Sequence, residues 1–460
     1  MIQLNNDTII HLDAPTVTTS KLKNTPIQGW IVCNSTVNKV WISARSQHEL
    51  KWVERPDVIN AFPSYSEVKG FVGIVPTNEL NGNSITLFCQ VGENVLSHTF
   101  PLEESEEQAN ISSTLDFLKA INNQLYADDV AQKRSCLEST PIHINLEMTN
   151  RCNLSCPTCA RNYWDEAKNP IGEMDTKMIE LLSPYLERAS YVGLLGYGEA
   201  VLSTQFKPIV SLITQFKPTF GMFNNGTTLG SRQVDFILDT GINGLVISID
   251  GADEKTVQHT RTASLKKILR NVNYLRNRSV ERNMKAPQLS LSFTASQRNI
   301  NQLIQLIDLA KENGFVEIHI GMAKIFHPSL VAESLFLAQE HATQKFVEAQ
   351  EYGEKQGIKV NIPPLFGATV SCQQPFELFM VKWNGNVRLC CSTAIESEPP
   401  LYINTGNLYK ESLEQLWNGE MAQSVRSGLL GLGEMNEICA KCPYTKCTLE
   451  RYTRLLQVSN

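Results

Sequence analysis

The chain has 460 residues, 42% of them hydrophobic and 19% charged, which is ordinary for a globular protein of about two to four domains. Its net charge of −6 provides no basic field, so we expect neither nucleic acid nor an anionic membrane as a partner. No apolar run approaches the roughly 18 residues of a membrane span. No signal peptide is recognisable either, which predicts a cytoplasmic protein. Twelve cysteines in that compartment are expected to be thiols or metal ligands rather than disulfides.

Residues 1–103 are predicted to form an all-β sandwich, because short β-rich runs alternate with turn residues. The runs are Gly29–Cys33, Lys39–Ala44, Phe71–Val75, Ile85–Val91 and Val95–Phe100. One turn is predicted at Asn81-Gly82-Asn83. An acidic stretch follows, and residues 104–140 are predicted to be a linker with one helix from about Thr114 to Lys133.

In residues 141–365 the predicted pattern is an alternation of strands and helices. The predicted strands are Ile142–Met148, Tyr191–Leu195, Thr219–Phe223, Gly244–Ile249, Gln288–Thr294 and Phe315–Ile320. Helical patterns lie between them, for instance Met178–Arg188, Ser264–Asn277 and Leu303–Asn313. Six strand–helix units predict an α/β fold with a parallel sheet of barrel type. Residues 366–460 are predicted to be a small cysteine-rich domain.

A cysteine motif of the form CxxxCxxC follows the first predicted strand directly, at Cys152, Cys156 and Cys159. Three thiolates on one short loop can bind three irons of a cubane cluster and leave the fourth iron without a protein ligand. Zinc prefers four ligands in paired motifs, which this isolated triad suits poorly. The carboxyl end of a barrel strand is also where barrel enzymes place their chemistry. The motif therefore predicts a catalytic [4Fe–4S] cluster.

This motif in this position resembles the radical S-adenosylmethionine (SAM) superfamily, and the resemblance covers about Ile142–Cys447. It implies a partial (β/α)₆ barrel of the TIM type, in which SAM chelates the open iron through its amino and carboxylate groups. It also implies reductive cleavage of SAM to a 5′-deoxyadenosyl radical that abstracts hydrogen from the substrate. The family usually has an aromatic residue before the third cysteine, where this chain has Thr158. Tyr163 and Trp164 are candidates to replace that contact with adenine.

Further SAM contacts are predicted at the ends of the second, third and fourth strands. A GYGE sequence after the second strand resembles the family's GGEP motif, and an open backbone with a carboxylate suits a cationic amino group. The sequence SIDGA at the fourth strand end resembles a family motif near the ribose, although an Asp-Gly turn that caps the next helix is the alternative. The candidate residues are Gly196, Tyr197, Gly198, Glu199, Asn224, Ser248 and Asp250. Asn225 is similar to Asn224.

The C-terminal cysteines resemble the SPASM/twitch extension that follows many radical SAM barrels. A hairpin with a turn at Asn384-Gly385 lies between two of them, and a CxxC pair follows. The resemblance implies one auxiliary iron–sulfur cluster, and a structural zinc is the alternative. The assigned ligands are Cys372, Cys390, Cys439 and Cys442, with Cys391 and Cys447 as alternates. Three other cysteines are interpreted as ordinary residues: Cys33, Cys89 and Cys136.

An auxiliary cluster can accept the electron that remains after hydrogen abstraction, which favours oxidation or epimerisation. The segment Trp52–Val58 resembles β modules of surface-polysaccharide enzymes, so the lead hypothesis is a substrate that is a sugar or glycoconjugate. Two alternatives stay open: a peptide or protein maturase of the RiPP or sulfatase type, and a non-catalytic metal-binding scaffold that binds glycans. A flavodoxin or ferredoxin reductant is expected. No catalytic acid or base is identified from the sequence.

Overall fold

The computed structural model describes the chain except residues 16, 19–20, 81–83, 105–106, 165–166, 168, 326, 391–403, 441, 443–444 and 449–460. The turn predicted at 81–83 and the alternate ligand Cys391 lie outside the described residues. The chain divides into two compact units. The first consists of Met1–Asp128, Glu138–Ile142 and Leu182–Ala189, and the second contains the rest. The domain boundaries drawn from the sequence stay predictions.

The first unit is a β-sandwich. Its elements are β1 (Ile2–Asn5), β2 (Thr8–Ala14), β3 (Val17–Thr18), β4 (Asn24–Cys33), β5 (Val37–Ser43), β6 (Gln47–Glu49), β7 (Lys51–Val53), α1 (Pro56–Ala61), β8 (Glu67–Pro76), β9 (Ser84–Val91), β10 (Asn94–Pro101), β11 (Glu103–Glu104) and α2 (Gln108–Ala131). One antiparallel sheet has the order β1-β2-β4-β8-β7 and the other β10-β9-β5-β6. Alternate residues of β2 and β9 are buried, as a half-buried strand requires, whereas β4 is buried along nearly its whole length. Ile10 and Ile31 of the first sheet and Val40 and Leu87 of the second belong to one apolar core.

A buried carboxylate joins residues 182–189 to the sandwich within the first unit. Glu187 is 1% exposed. It accepts hydrogen bonds from the backbone N–H of Lys23 at 2.7 Å and of Asn24 at 3.0 Å, and from the Asn24 side chain at 2.6 Å. Burial raises the pKa of Glu187, and these N–H donors oppose that rise. This segment therefore belongs to the sandwich, although it follows the first barrel strand in the chain.

The second unit is built on one large sheet. Its strands are β12 (His143–Leu146), β13 (Tyr191–Leu194), β14 (Thr219–Asn224), β15 (Gly244–Ser248), β16 (Gln288–Ala295), β17 (Glu317–Met322), β18 (Lys359–Asn361), β19 (Leu378–Val381), β20 (Asn386–Arg388) and β21 (Asn404–Asn407). Its helices are α3 (Lys177–Leu186, whose end lies in the first unit), α4 (Phe206–Thr214), α5 (Ser231–Thr240), α6 (Glu254–Arg261), α7 (Leu265–Glu281), α8 (Leu303–Glu312), α9 (Gln339–Gln356), α10 (Gln374–Glu377), α11 (Leu413–Asn418), α12 (Glu420–Leu429) and α13 (Glu437–Ala440).

The sheet has the order β18-β17-β16-β15-β14-β13-β12-β19-β20-β21. The pairs from β18 to β19 are parallel, so the carboxyl ends of these eight strands lie at one edge. The six predicted barrel strands are β12 to β17, in chain order. The predicted α/β fold with an N-terminal β region and a small C-terminal domain is confirmed. β19 of the C-terminal domain pairs with β12, which the sequence did not predict.

Local signals explain where several helices begin and end. Asp253 caps α6 by accepting the Thr256 N–H at 2.8 Å. Gly241 after α5 and Gly357 after α9 have φ angles of 69° and 73°, the left-handed conformation that ends a helix most easily at glycine. No helix in the described ranges combines the length and apolar character needed to cross a bilayer.

Candidate active site

A cleft of about 300 Å³ opens at the carboxyl edge of the parallel strands. Its walls come from the segments that follow β12, β13, β14 and β15. All the residues predicted for the barrel site line it: Cys152, Cys156, Cys159, Gly196, Tyr197, Gly198, Glu199, Asn224, Asn225, Ser248 and Asp250. Because parallel strands end at the same edge, residues far apart in the sequence converge here.

The cysteine loop between β12 and α3 places three thiols on the cleft wall. The Cys159 N–H donates to the Cys156 carbonyl at 2.9 Å, and the Asn162 side chain donates to the same oxygen at 2.7 Å. Burial raises the pKa of Cys156 to about 11, a rise opposed by Arg261 and reinforced by the neighbouring thiols of Cys159 and Cys152. Three thiols on one loop, two of which (Cys156 and Cys159) have pKa values raised by burial, are a donor set that a multinuclear iron cluster can use. Within the described ranges, no three Cys, His, Asp or Glu side chains already converge as a metal site.

Two aromatic residues, Tyr163 and Trp164, follow the cysteine loop in the sequence and pack close to it. The Tyr163 hydroxyl donates to the Pro157 carbonyl at 2.8 Å, and its ring lies 4.7 Å from that of His327. The Trp164 ring lies 5.0 Å from that of Tyr197. Neither aromatic residue is among the described residues that line the cleft, whereas Thr158 is. The proposed aromatic replacement for the contact with adenine therefore gains no support.

The GYGE segment needs its glycines because other groups approach closely. A Cβ on Gly198 would lie 2.1 Å from the Thr149 carbonyl oxygen, and one on Gly196 would lie 2.4 Å from the Glu147 side chain. Glu199 accepts the Asn225 N–H at 2.9 Å and the Asn224 amide at 2.5 Å. This carboxylate thus joins the second strand end to the third. Burial raises the pKa of Glu199 to about 7, although its hydrogen bonds favour the ionised form.

Asp250 forms a buried ion pair at the end of the fourth strand. Its carboxylate receives Arg261 Nη1 at 2.8 Å and the Thr294 N–H at 2.6 Å. The Arg261 carbonyl lies 3.5 Å from the Cys156 sulfur, as the acceptor of its thiol. Asp250 therefore holds Arg261 beside the cysteine loop. Ser248, two residues earlier, lines the same cleft.

Replacing Asp250 with alanine should lower the free energy of unfolding by about 3–5 kcal/mol, because Arg261 would remain as a buried, uncompensated charge. Urea denaturation of the cluster-free protein measures this loss. Replacing Arg261 with methionine in the same chain should recover part of it. The control is Glu348→Ala, which breaks a partly exposed ion pair with Lys345 on one helix and should change little. Equal losses for Asp250→Ala and the control would contradict the prediction.

Three buried charges beneath the cleft were missed by sequence reasoning: Glu147, Lys382 and Arg388. They are 1%, 3% and 1% exposed. Glu147 Oε1 accepts the Tyr197 N–H at 2.9 Å, and its Oε2 has no hydrogen-bond partner among the described residues. Burial lowers the pKa of Lys382 to about 8, and Arg388 adds to this while Glu147 opposes it. The one available signal was a charge inside apolar sequence, at Lys382 after Leu378–Val381.

The four assigned auxiliary cysteines lie together in the C-terminal part. Burial raises the pKa of Cys439 to about 12, and the thiols of Cys372 and Cys442 add to the rise. Cys390 packs in the same apolar cluster as Cys439. Cys447 packs instead with Phe336, Met322 and Phe366, and burial alone raises its pKa to about 11. The geometry favours the first four as ligands, and that assignment stays a prediction.

The remaining cysteines match the expectation of ordinary residues. Cys33 and Cys89 are in the core of the sandwich, and Cys136 is exposed.

Comparison with known proteins identifies two domains. Residues 146–286 match the model of the radical SAM superfamily, and residues 372–443 match that of the SPASM iron–sulfur cluster-binding domain. An AdoMet-dependent heme synthase from Methanosarcina barkeri is 21% identical over 66% of this chain and 92% of its own. A PqqA peptide cyclase from Gluconobacter oxydans is 22% identical over 48% of this chain and 60% of its own.

A solved structure has a similar fold. SuiB of Streptococcus suis, bound to its precursor peptide SuiA, aligns with a TM-score of 0.50 and 11% identity. The alignment covers 74% of this chain and 82% of SuiB. At this identity the likeness concerns the fold alone.

Proposed function

Because this chain is a radical SAM enzyme with a C-terminal SPASM domain, we propose that it modifies a peptide or protein substrate at a C–H bond. This replaces the lead hypothesis of a sugar substrate, for which no relative named above offers support. One of those relatives is a peptide cyclase, and the solved fold holds a precursor peptide. Oxidation and epimerisation stay within the proposal as types of reaction.

The two domains imply a [4Fe–4S] cluster that binds SAM, an auxiliary iron–sulfur cluster and SAM itself. When bound, SAM at its cluster supplies a 5′-deoxyadenosyl radical that takes a hydrogen atom from the substrate. Cys152, Cys156 and Cys159 would hold that cluster. The cleft, at about 300 Å³, is at the lower end of the roughly 300–1,000 Å³ typical of small-molecule sites. A cleft of this volume suits SAM alone rather than SAM together with a folded protein substrate.

The residues around the cleft position its walls. Glu199 ties the GYGE segment to the end of β14 through Asn224 and Asn225. Asp250 and Arg261 tie the end of β15 to the cysteine loop. The observation that carries the radical SAM chemistry of this proposal is that three thiols, the GYGE segment and the Asp250–Arg261 pair line one cleft. The chain also groups cysteines beyond the barrel.

A labelling experiment tests the substrate class. Cells grown in deuterated medium are fractionated into peptides and proteins on one side and small molecules, including sugar nucleotides, on the other. Each fraction is incubated anaerobically with the reconstituted enzyme, unlabelled SAM and dithionite, and 5′-deoxyadenosine is analysed by mass spectrometry. We expect deuterium from the peptide fraction and its loss after extensive proteolysis of that fraction. Deuterium from the small-molecule fraction alone would overturn the proposal and restore the sugar hypothesis.

A further inference from the structure

One segment of the second unit is strongly basic in a protein that is acidic overall. Residues 251–285 carry nine Lys or Arg and three Asp or Glu, a net charge of +6, whereas the whole chain has −6. They form α6 and α7. At the C-terminal end of α7, Arg278 and the residue after the helix, Arg282, pair with Asp235 and Asp239 of α5. The positive charge there is therefore largely compensated.

In the N-terminal half of α7, most of the positive charge is not compensated by ion pairs. Lys266, Lys267 and Arg270 are exposed, while Leu265 and Ile268 are buried on the other face of the helix. The three cations occupy neighbouring positions on one helical face. Within the described residues no ion pair is found for these three side chains, although the Glu254 carboxylate, which accepts the Lys266 N–H at 3.0 Å, offsets part of the charge of Lys266. We call Lys266, Lys267 and Arg270 the basic stripe.

The residues that flank the basic stripe, Thr262 and Asn271, are linked to the cysteine loop directly or through one turn. At the end of α6, Thr262 Oγ1 accepts the Ser155 N–H at 3.2 Å. The loop residue Asn153 donates to Thr227 Oγ1 at 2.9 Å, and Asn271 of α7 donates to the neighbouring Gly226 carbonyl at 2.9 Å. The first half of α7 and the cysteine loop are thus both bonded to the turn at residues 226–227.

The cysteine loop has two sides. Its three cysteines line the cleft, whereas Asn153 and Ser155, which alternate with them, are exposed. A protein that approached the outer side would meet the loop backbone directly and the basic stripe beside it.

We propose that the basic stripe and the exposed side of the cysteine loop form the docking surface for a small acidic one-electron-transfer protein of the flavodoxin or ferredoxin class. The inference rests on the proposed function, because reductive cleavage of SAM needs one electron. The donor is oxidised by one electron and the enzyme is reduced by one, and no bond or proton is exchanged. Weak electron-transfer encounters use small interfaces, and complementary charge mainly raises their rate of association.

The test reverses the charge of the stripe. The variant Lys266→Glu, Lys267→Glu, Arg270→Glu is compared with the wild type, with reduced flavodoxin as the electron donor and 5′-deoxyadenosine as the product. We expect the flavodoxin concentration for half-maximal rate to rise by about tenfold or more, and added salt to weaken the wild type more than the variant. With dithionite, a small donor that needs no docking surface, the two rates should be equal. The new glutamates stand in the first turns of a helix, where negative charge is tolerated well.

A matched control makes the same change in net charge elsewhere. Lys285, Lys311 and Lys355 are exposed and precede β16, β17 and β18, at the opposite edge of the sheet. Their triple substitution by glutamate should leave the dependence on flavodoxin unchanged. Equal effects of the two triple variants, or no effect of the first, would overturn the docking surface. Direct binding of flavodoxin to cluster-free protein gives a second readout. If dithionite supports no cleavage of SAM in the wild type, the proposed function fails, while the binding result still judges the surface.

Discussion

Replacing Cys156 with alanine should remove about four of about eight iron atoms per chain and abolish formation of 5′-deoxyadenosine. Each of the three loop thiolates is expected to bind one iron, and two thiolates hold a cubane poorly. Cys156 lies between the other two in sequence, lines the cleft and is close to Arg261. Iron and sulfide analysis of anaerobically reconstituted protein, together with chromatography of the reaction with dithionite, measures both effects.

The control for this variant is Cys136→Ala, because Cys136 is exposed and is not among the described residues of the cleft. It should keep the iron content and the activity of the wild type. A Cys156→Ala protein that keeps all its iron and still cleaves SAM would refute the three-thiolate site. About four irons in the wild type would leave the auxiliary site with zinc or empty. A wild-type protein that binds no iron would support the hypothesis of a non-catalytic scaffold.

Replacing Cys439 with alanine should remove the auxiliary cluster and leave about four irons per chain, while SAM is still cleaved with dithionite. Cys439 is the buried member of the group, and the thiols of Cys372 and Cys442 are near enough to raise its pKa. Loss of one of four ligands exposes the cluster to solvent and to exchange. Iron analysis would detect the loss of the auxiliary cluster. The spectrum of the reduced protein would then show only the cluster bound by the cysteine loop of the barrel.

The matched variant is Cys447→Ala, which removes a thiol that is also buried but packs among Phe336, Met322 and Phe366. It should keep about eight irons. If Cys447→Ala loses iron and Cys439→Ala does not, the prediction is wrong, and Cys447 takes the place of Cys439 as a ligand. Zinc in place of the auxiliary iron in the wild type would instead favour the structural-zinc alternative.

Local sequence was sufficient to predict the six barrel strands and three of the helices of the second unit. The strand predicted at Tyr191–Leu195 is found at Tyr191–Leu194, and the helix predicted at Leu303–Asn313 at Leu303–Glu312. Apolar runs bounded by turn residues mark such strands, and a buried face marks such helices. Parallel strands end at one edge, so motifs placed after successive strands were bound to meet. The sequence therefore determined the location of the cleft and its cysteine loop.

Contacts between distant segments decided the rest. The pairing of β12 with β19 brings Lys382 and Arg388 close to Glu147 beneath the cleft, and the sequence does not indicate this contact between distant segments. The sequence left Cys447 as an alternate to Cys439, and the different packing of the two thiols favours Cys439. Burial, and with it the cost of a charge or the availability of a thiol, depends on which chain segments lie alongside. Local sequence periodicity contains no information about those neighbouring segments. Only the tertiary structure therefore shows which charges and thiols they bury.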